Sequence, residues 1–229
     1  MRRRTLLVSL PLVLGVVSGC SAFEEATPPG EALDTARTTF VDAGTVAFDL
    51  EQSAIPEGRN GVSAADGKGI IDEESPRFRG QVTGVIDGAS AGVEIIAVDE
   101  RTWMSFFTKN FNPVDMSDLG APNPAEFFRT GSGVDQVLAS TTDAEEGEQV
   151  RDGDTVLQEY TGTVPAEDIQ RLFSLGEEAE EFDVTYGIEP ESGELRTVEI
   201  QGDFYEEKPT TFTLELSDYG EDVEISAPK

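Results

Sequence analysis

Cys20, the only cysteine of the chain, is the one residue whose type and setting specify a covalent reaction. It follows Val17-Ser18-Gly19, and ahead of these lie an apolar run from Leu6 to Val17 and the arginines Arg2, Arg3 and Arg4. A basic start, a short apolar stretch and small residues before a cut point are the parts of a secretory signal peptide. The run is about 12 residues, short of the ~20 that span a membrane. A lone thiol directly after small residues is the lipobox pattern of bacterial lipoproteins. Its sulfur takes a diacylglycerol and the cysteine becomes the first residue of the mature chain. The pattern assigns residues 1–19 to a lipoprotein signal peptide, 20–30 to the acylated cysteine and a Pro-rich tether, and 31–229 to a single domain. It also places that domain on the extracytoplasmic face of the cell membrane, held there by the N-terminal lipid. Arg3-Arg4-Thr5-Leu6-Leu7 matches a twin-arginine export signal only loosely.

Composition excludes much other chemistry. Histidine is absent, so no imidazole base, Ser-His-Asp triad or imidazole metal site can be built. With Cys20 acylated, thiolate zinc sites and disulfides go too, and packing alone must hold the fold. We therefore expect no catalytic residues, no metal, no cofactor and no enzyme activity. Carboxylates could run glycoside hydrolysis as a pair at a set distance. Among 46 acidic residues, however, pairs such as Glu73-Glu74, Glu145-Glu146 and Glu177-Glu178 read as solvated surface. Asp152-Gly153-Asp154 lacks the rest of a calcium loop and fits a hairpin turn. A net charge of −30 repels nucleic acid, so none is expected as a partner. The acids are dispersed along the chain, as suits a saline or alkaline habitat where screening removes their repulsion.

The elements that must position any site follow from periodicity. Glu31–Ala43 carries Leu33, Ala36 and Phe40 on one helical face and ends at Gly44. Strands are expected at 45–52, 67–74, 77–86, 92–98 and 101–107, with 55–66 as a loop. Residues 110–130 hold three prolines and no period of two; Pro124 behind Asn123 fits a short helix to Phe128. A helix follows from about 133 with Val134, Val137 and Leu138 on one side. Strands at 147–151 and 155–163, a helix at 165–175 and strands at 181–188, 194–202 and 210–217 complete the chain. Strand runs interrupted by helices, without strand-helix alternation, indicate an α+β fold on an antiparallel sheet.

Side-chain parity then selects an apolar face. On the strand at 77–86, Phe78, Gly80, Val82 and Gly84 share one side, apolar yet stripped of bulk at the two glycines. The gap can hold a ligand or receive a closely packed helix. Aromatics including Trp103, Phe127, Tyr160, Phe173, Phe182 and Tyr186 pose the same choice between cavity wall and filled core.

The succession FNPVDMSDLGAPNPAEFF, SGVDQVLAST, Glu148…Tyr160-Thr161-Gly162-Thr163, VPAEDIQRLF and the ending TFTLELSDYGEDVEISAP resembles the LppX/LprA/LprF/LprG lipoproteins of actinobacteria, over nearly the whole mature chain. The resemblance implies a strongly curved antiparallel half-barrel with helices on its concave face, and wider kinship with bacterial lipoprotein-sorting carriers. It implies that acyl chains of a lipid or glycolipid sit between sheet and helices and are carried within the envelope, with a transporter as candidate partner. Under it, Val46, Phe48, Leu50, Phe78, Gly80, Val82, Gly84, Tyr160, Phe182, Val184 and Tyr186 become the sheet side of a cavity. Phe127, Val134, Leu138, Ile169, Leu172 and Phe173 become its helical side. The acidity disfavours an anionic headgroup unless Arg101, Arg129 or Arg171 meets it. A non-enzymatic interaction module with a closed core, partnering a membrane protein or transporter, is the competing expectation, and the volume between sheet and helices separates the two.

Overall fold

The computed structural model describes residues 27–86, 88–106, 110–119, 121–205 and 208–229. Cys20, the signal peptide and most of the tether lie outside them. Eleven strands form one antiparallel sheet, in the order β6-β5-β4-β3-β2-β1-β11-β10-β9-β8-β7, curved but not closed into a barrel. These strands are β1 (Thr45–Gln52), β2 (Gly61–Ile70), β3 (Arg77–Ile86), β4 (Ala89–Val98), β5 (Arg101–Ser105), β6 (Asn112–Val114), β7 (Thr142–Asp152), β8 (Thr155–Pro165), β9 (Glu181–Ile188), β10 (Leu195–Tyr205) and β11 (Lys208–Ser217). The first and last strands pair at the centre, Phe48 opposite Leu216 and Leu50 opposite Leu214. Two meanders thus meet side by side, and only this long-range pairing makes them one sheet.

Three helices cover the inner face: α1 (Pro29–Ala43), α2 (Val134–Ser140) and α3 (Ala166–Phe173), with a 3-10 turn at Pro124–Phe128. Helix α1 begins inside the expected tether, because Pro29 has a fixed φ suited to a first turn and needs no N–H partner there. It stops at Gly44, whose φ of 70° closes the end with a bond to the Val41 carbonyl. Its buried stripe is Ala32, Leu33, Ala36 and Phe40.

One expectation fails in an informative way. Half of the segment read as a loop, 55–66, is strand, since β2 starts at Gly61. Its residues, GVSAADGKGI, have weak strand propensity. They are held extended by ladders to β3 from Gly61 onward and to β1 from Ala64 onward.

A row on the inner face runs across the register from Tyr160 through Tyr186, Val198, Leu214, Leu50 and Ala65 to Val82. On the outer face, Asp49 stands directly between Glu215 and Asp66.

Candidate functional site

Aromatic residues divide the interior into two nests. Phe48, Phe78 and Phe128 meet at the β1–β4 side, with ring centroids 5.4–6.4 Å apart. Phe127, Phe173, Phe182, Phe204 and Phe212 form a second chain of rings at the β9–β11 side, with centroids 4.5–5.3 Å apart for Phe173–Phe212, Phe204–Phe212, Phe182–Phe204 and Phe127–Phe173. Adjacent in sequence, Phe127 and Phe128 are sent to opposite nests by the 3-10 turn.

That turn is clamped to the sheet. Asn123 caps it by accepting from the Ala125 N–H, and donates to the Asp99 carbonyl at 2.7 Å. Arg129 makes a fork onto Glu126 at 2.8 and 2.9 Å, reaches Asp99 at 3.3 Å and donates to the Glu73 carbonyl at 2.9 Å. The Glu126 carboxylate above all, with Asp99, raises the Arg129 pKa and fixes its charge. Arg129 is therefore committed to structure. Arg171 is bound to Asp168 at 2.8 Å, and Arg101 lies over the Trp103 ring at 5.4 Å.

Helix α2 is pinned as well. Both Asp135 oxygens, buried, accept the Gly131 N–H at 2.9–3.0 Å, and Arg37 of α1 approaches at 3.8 Å. The Thr141 hydroxyl just beyond α2 is 2.7 Å from the Tyr186 hydroxyl on β9. Burial pushes the Tyr186 hydroxyl well above its ordinary pKa, partly opposed by the Thr141 bond, so it stays neutral.

Between these elements runs a crevice lined by Leu50, Tyr186, Val198, Ile200, Phe212 and Leu214 from the sheet and Phe127, Val134, Val137, Leu172 and Phe173 from the helical layer. Apart from the Tyr186 hydroxyl, which is already bonded, the side chains around it are hydrocarbon. The centre of a water molecule can reach only about 10 Å³ of it. That is at the lower limit for one water, while ligand pockets hold about 300–1,000 Å³. The crevice is closed.

Six of the expected residues border it: Leu50, Phe127, Val134, Leu172, Phe173 and Tyr186. Val46, Phe78, Leu138, Tyr160, Ile169, Phe182 and Val184 are buried in the packed core around it, and Phe48 and Val82 pack against that core. The gap expected at Gly80 is taken. A Cβ there would strike the Asp66 carbonyl and come within 2.8 Å of the Phe78 ring. Gly80 pairs with Gly67, and their bareness lets two backbones approach where the sheet bends. Gly84 meets only the Gly61 carbonyl, at 3.1 Å, and does not border the crevice. Glycines do receive rings elsewhere: the missing Cβ of Gly69 makes way for Phe128, and those of Gly176 and Gly202 for Phe182.

Val137, Val198, Ile200, Phe212 and Leu214 complete the lining beyond the expected set. The signal for Val137 was the helical face it shares with Val134 and Leu138, and that for the four strand residues was alternation along β10 and β11. What tied the strand residues to Leu50 was the β1–β11 pairing, which no local pattern reveals.

Among the described residues, no group of three or more acidic side chains is placed to hold a metal ion, and no helix is long and apolar enough to cross a membrane. A surface hollow of about 630 Å³ lies at the β5–β6 edge beside Trp103, Pro113 and Asp115.

The solved structures that this fold matches include LprF from Mycobacterium bovis, with a TM-score of 0.73 at 11% identity, over 87% of this chain and 96% of that one. Lipoprotein LppX from Mycobacterium tuberculosis matches with a TM-score of 0.57 at 16% identity, over 87% of this chain and all of that one. At such identities the likeness is one of fold. No curated protein matches the chain. The family model for the LppX_LprAFG lipoproteins matches residues 39–225, which is most of the described domain. The curved sheet, the helices laid on its inner face and this match together establish that the chain belongs to the LppX_LprAFG lipoprotein family.

Proposed function

We propose that the protein is a membrane-anchored carrier that takes acyl chains of a lipid or glycolipid into the crevice between sheet and helices. The observation that carries this reading is the lining: eleven side chains from seven separate elements converge on one seam with no unpaired polar group. Each methylene buried there contributes ~0.8 kcal/mol. The headgroup stays toward solvent, and the net charge of −30 favours a neutral or sugar-headed lipid over an anionic one. Cys20, acylated, keeps the domain on the extracytoplasmic membrane face where such lipids reside; one acyl chain alone binds membranes marginally, so the two of a diacylglyceryl group suit the task.

Native mass spectrometry of protein extracted from its own membranes tests the carrier reading, with a bound diacyl lipid as the expected mass increment. Lipid-free protein that also fails to bind cis-parinaric acid would refute it. Cys20→Ser should move the protein from the membrane to the soluble fraction; retention on the membrane would refute the anchor.

The closed crevice favours a second reading, an interaction module whose core is simply filled. Lipid-free protein that captures an envelope membrane protein through its folded surface would support that alternative.

A further inference from the structure

The crevice is closed, so a chain can enter only if one of its walls moves, and the walls differ in how they are held. The chain just ahead of α1 is joined to β8 where the Tyr160 hydroxyl donates to the Thr27 carbonyl at 3.0 Å, and α1 itself to α2 through Arg37 and Asp135. Helix α2 is tied to the sheet through Thr141 and Tyr186. The 3-10 turn is held by the Arg129 and Asn123 networks and by backbone bonds between Asp72 and the Phe128–Thr130 segment.

Helix α3 has nothing of the kind. Among the described residues, the polar bonds of segment 166–180 close within the segment. They are Arg171 to Asp168, Gln170 to the Gly176 carbonyl, Ala179 to Gly176, Ser174 to Gln170, and Ala166 to Glu180 at its neck. The neck continues directly into the β8–β9 ladder, Pro165 opposite Glu181. What holds the segment down is apolar: Ile169, Leu172 and Phe173, all buried. Two of these, Leu172 and Phe173, are crevice wall.

We infer that segment 166–180 is the gate of the crevice. It is an excursion from a hairpin, internally bonded and closed at its base, so among the described residues it can swing out as a unit without breaking a hydrogen bond or ion pair to another element. Moving α2 or the 3-10 turn would break several. Opening exposes Leu172 and Phe173, and an incoming acyl chain replaces the contacts they lose. Local openings of this kind are drawn from the parts of a fold held by the fewest interactions. This inference rests on the carrier reading for its purpose, and its test separates the two.

Hydrogen–deuterium exchange on the mature protein should show amides of 166–178 opening about tenfold or more faster than those of α2. Cis-parinaric acid should slow their exchange when bound. In stopped-flow mixing with the same probe, Ile169→Ala, which loosens α3 without touching the crevice lining, should speed uptake about tenfold. Arg37→Ala, which releases α2 from α1, should leave the rate unchanged. Exchange in 166–178 as slow as in α2, or faster uptake with Arg37→Ala and not with Ile169→Ala, overturns the gate while probe binding sustains the carrier. A segment that opens rapidly in a protein that binds no probe refutes the carrier and upholds the hinged segment.

Discussion

Gly69 shows how one missing side chain can hold two elements together. Its Cα lies under the Phe128 ring so closely that a Cβ would overlap the ring edge. Phe128 in turn lies 5.4 Å from Phe48 and is stacked at 6.4 Å on Phe78. Gly69→Ala must therefore displace an aromatic that has no free space to enter. The expected cost is about 1–3 kcal/mol, the usual range for overpacking, read as a lower urea midpoint with an unchanged slope. An unchanged midpoint would mean that Phe128 is not seated there. Tyr186→Phe probes the opposite kind of contact, a buried hydrogen bond. Removing the hydroxyl leaves Thr141 its bond to the Val137 carbonyl at 2.8 Å, so the loss should be near ~1 kcal/mol. A loss of several kcal/mol would show that the hydroxyl carries more of the packing than this one bond.

At the scale of elements, what was legible depended on whether a segment's structure is locally determined. Strands β1, β3 and β9 lie where period-two alternation places them, 45–52, 77–86 and 181–188. The turn at Pro124–Phe128 was signalled by Asn123 and Pro124, although it winds as a 3-10 helix. The first part of strand β2, 61–66, is not legible because its residues carry no clear alternation of their own and take their conformation from the neighbouring strands. The site divides in the same manner. Face parity puts Leu50, Leu172 and Phe173 on the interior side, where they border the crevice; at Gly80 it leaves room for a ligand and close packing both open, and there the Asp66 backbone packs close. Of the clamp at Arg129 only the Glu126 pair, three residues away, is local; Glu73 and Asp99 come from distant turns that no local pattern brings in. Arg129→Ala leaves Glu126 without its forked partner and frees the 3-10 turn that carries Phe127 and Phe128. About 2–3 kcal/mol should be lost, and Arg129→Lys, lacking the fork, should recover only part of it. Full recovery by lysine would show that charge alone, and not the forked geometry, fixes the turn.

For the molecule as a whole, acidity works against the fold, and the outer face shows where. Asp49 is opposite Glu215 on one side and Asp66 on the other, an arrangement of like charges that cross-strand pairing disfavours. Partial burial first, then Glu51 and Asp66, raises the Asp49 pKa above 3.8. A carboxyl whose folded pKa is raised binds its proton more tightly when folded. Its unfavourable contribution is fully present above the raised value and gone below 3.8. Asp115 runs the other way: bonds from the Ser117 hydroxyl and N–H lower its pKa, so its contribution is lost as pH falls through that lowered value. Stability should therefore rise as pH drops from neutral through the Asp49 range, and fall again below 3.8. Added salt should raise Tm at neutral pH by screening the same repulsion. Asp49→Asn should stabilise at neutral pH by about 0.5 kcal/mol, or about 1–2 °C for a domain of this size, and should lose that advantage below pH 3.8. Thermal melts of both proteins across pH and sodium chloride concentration decide the matter. A Tm that falls with salt, or an asparagine variant that melts lower at neutral pH, would show that these carboxylates are held by compensating contacts and that the acidity is no burden on the fold.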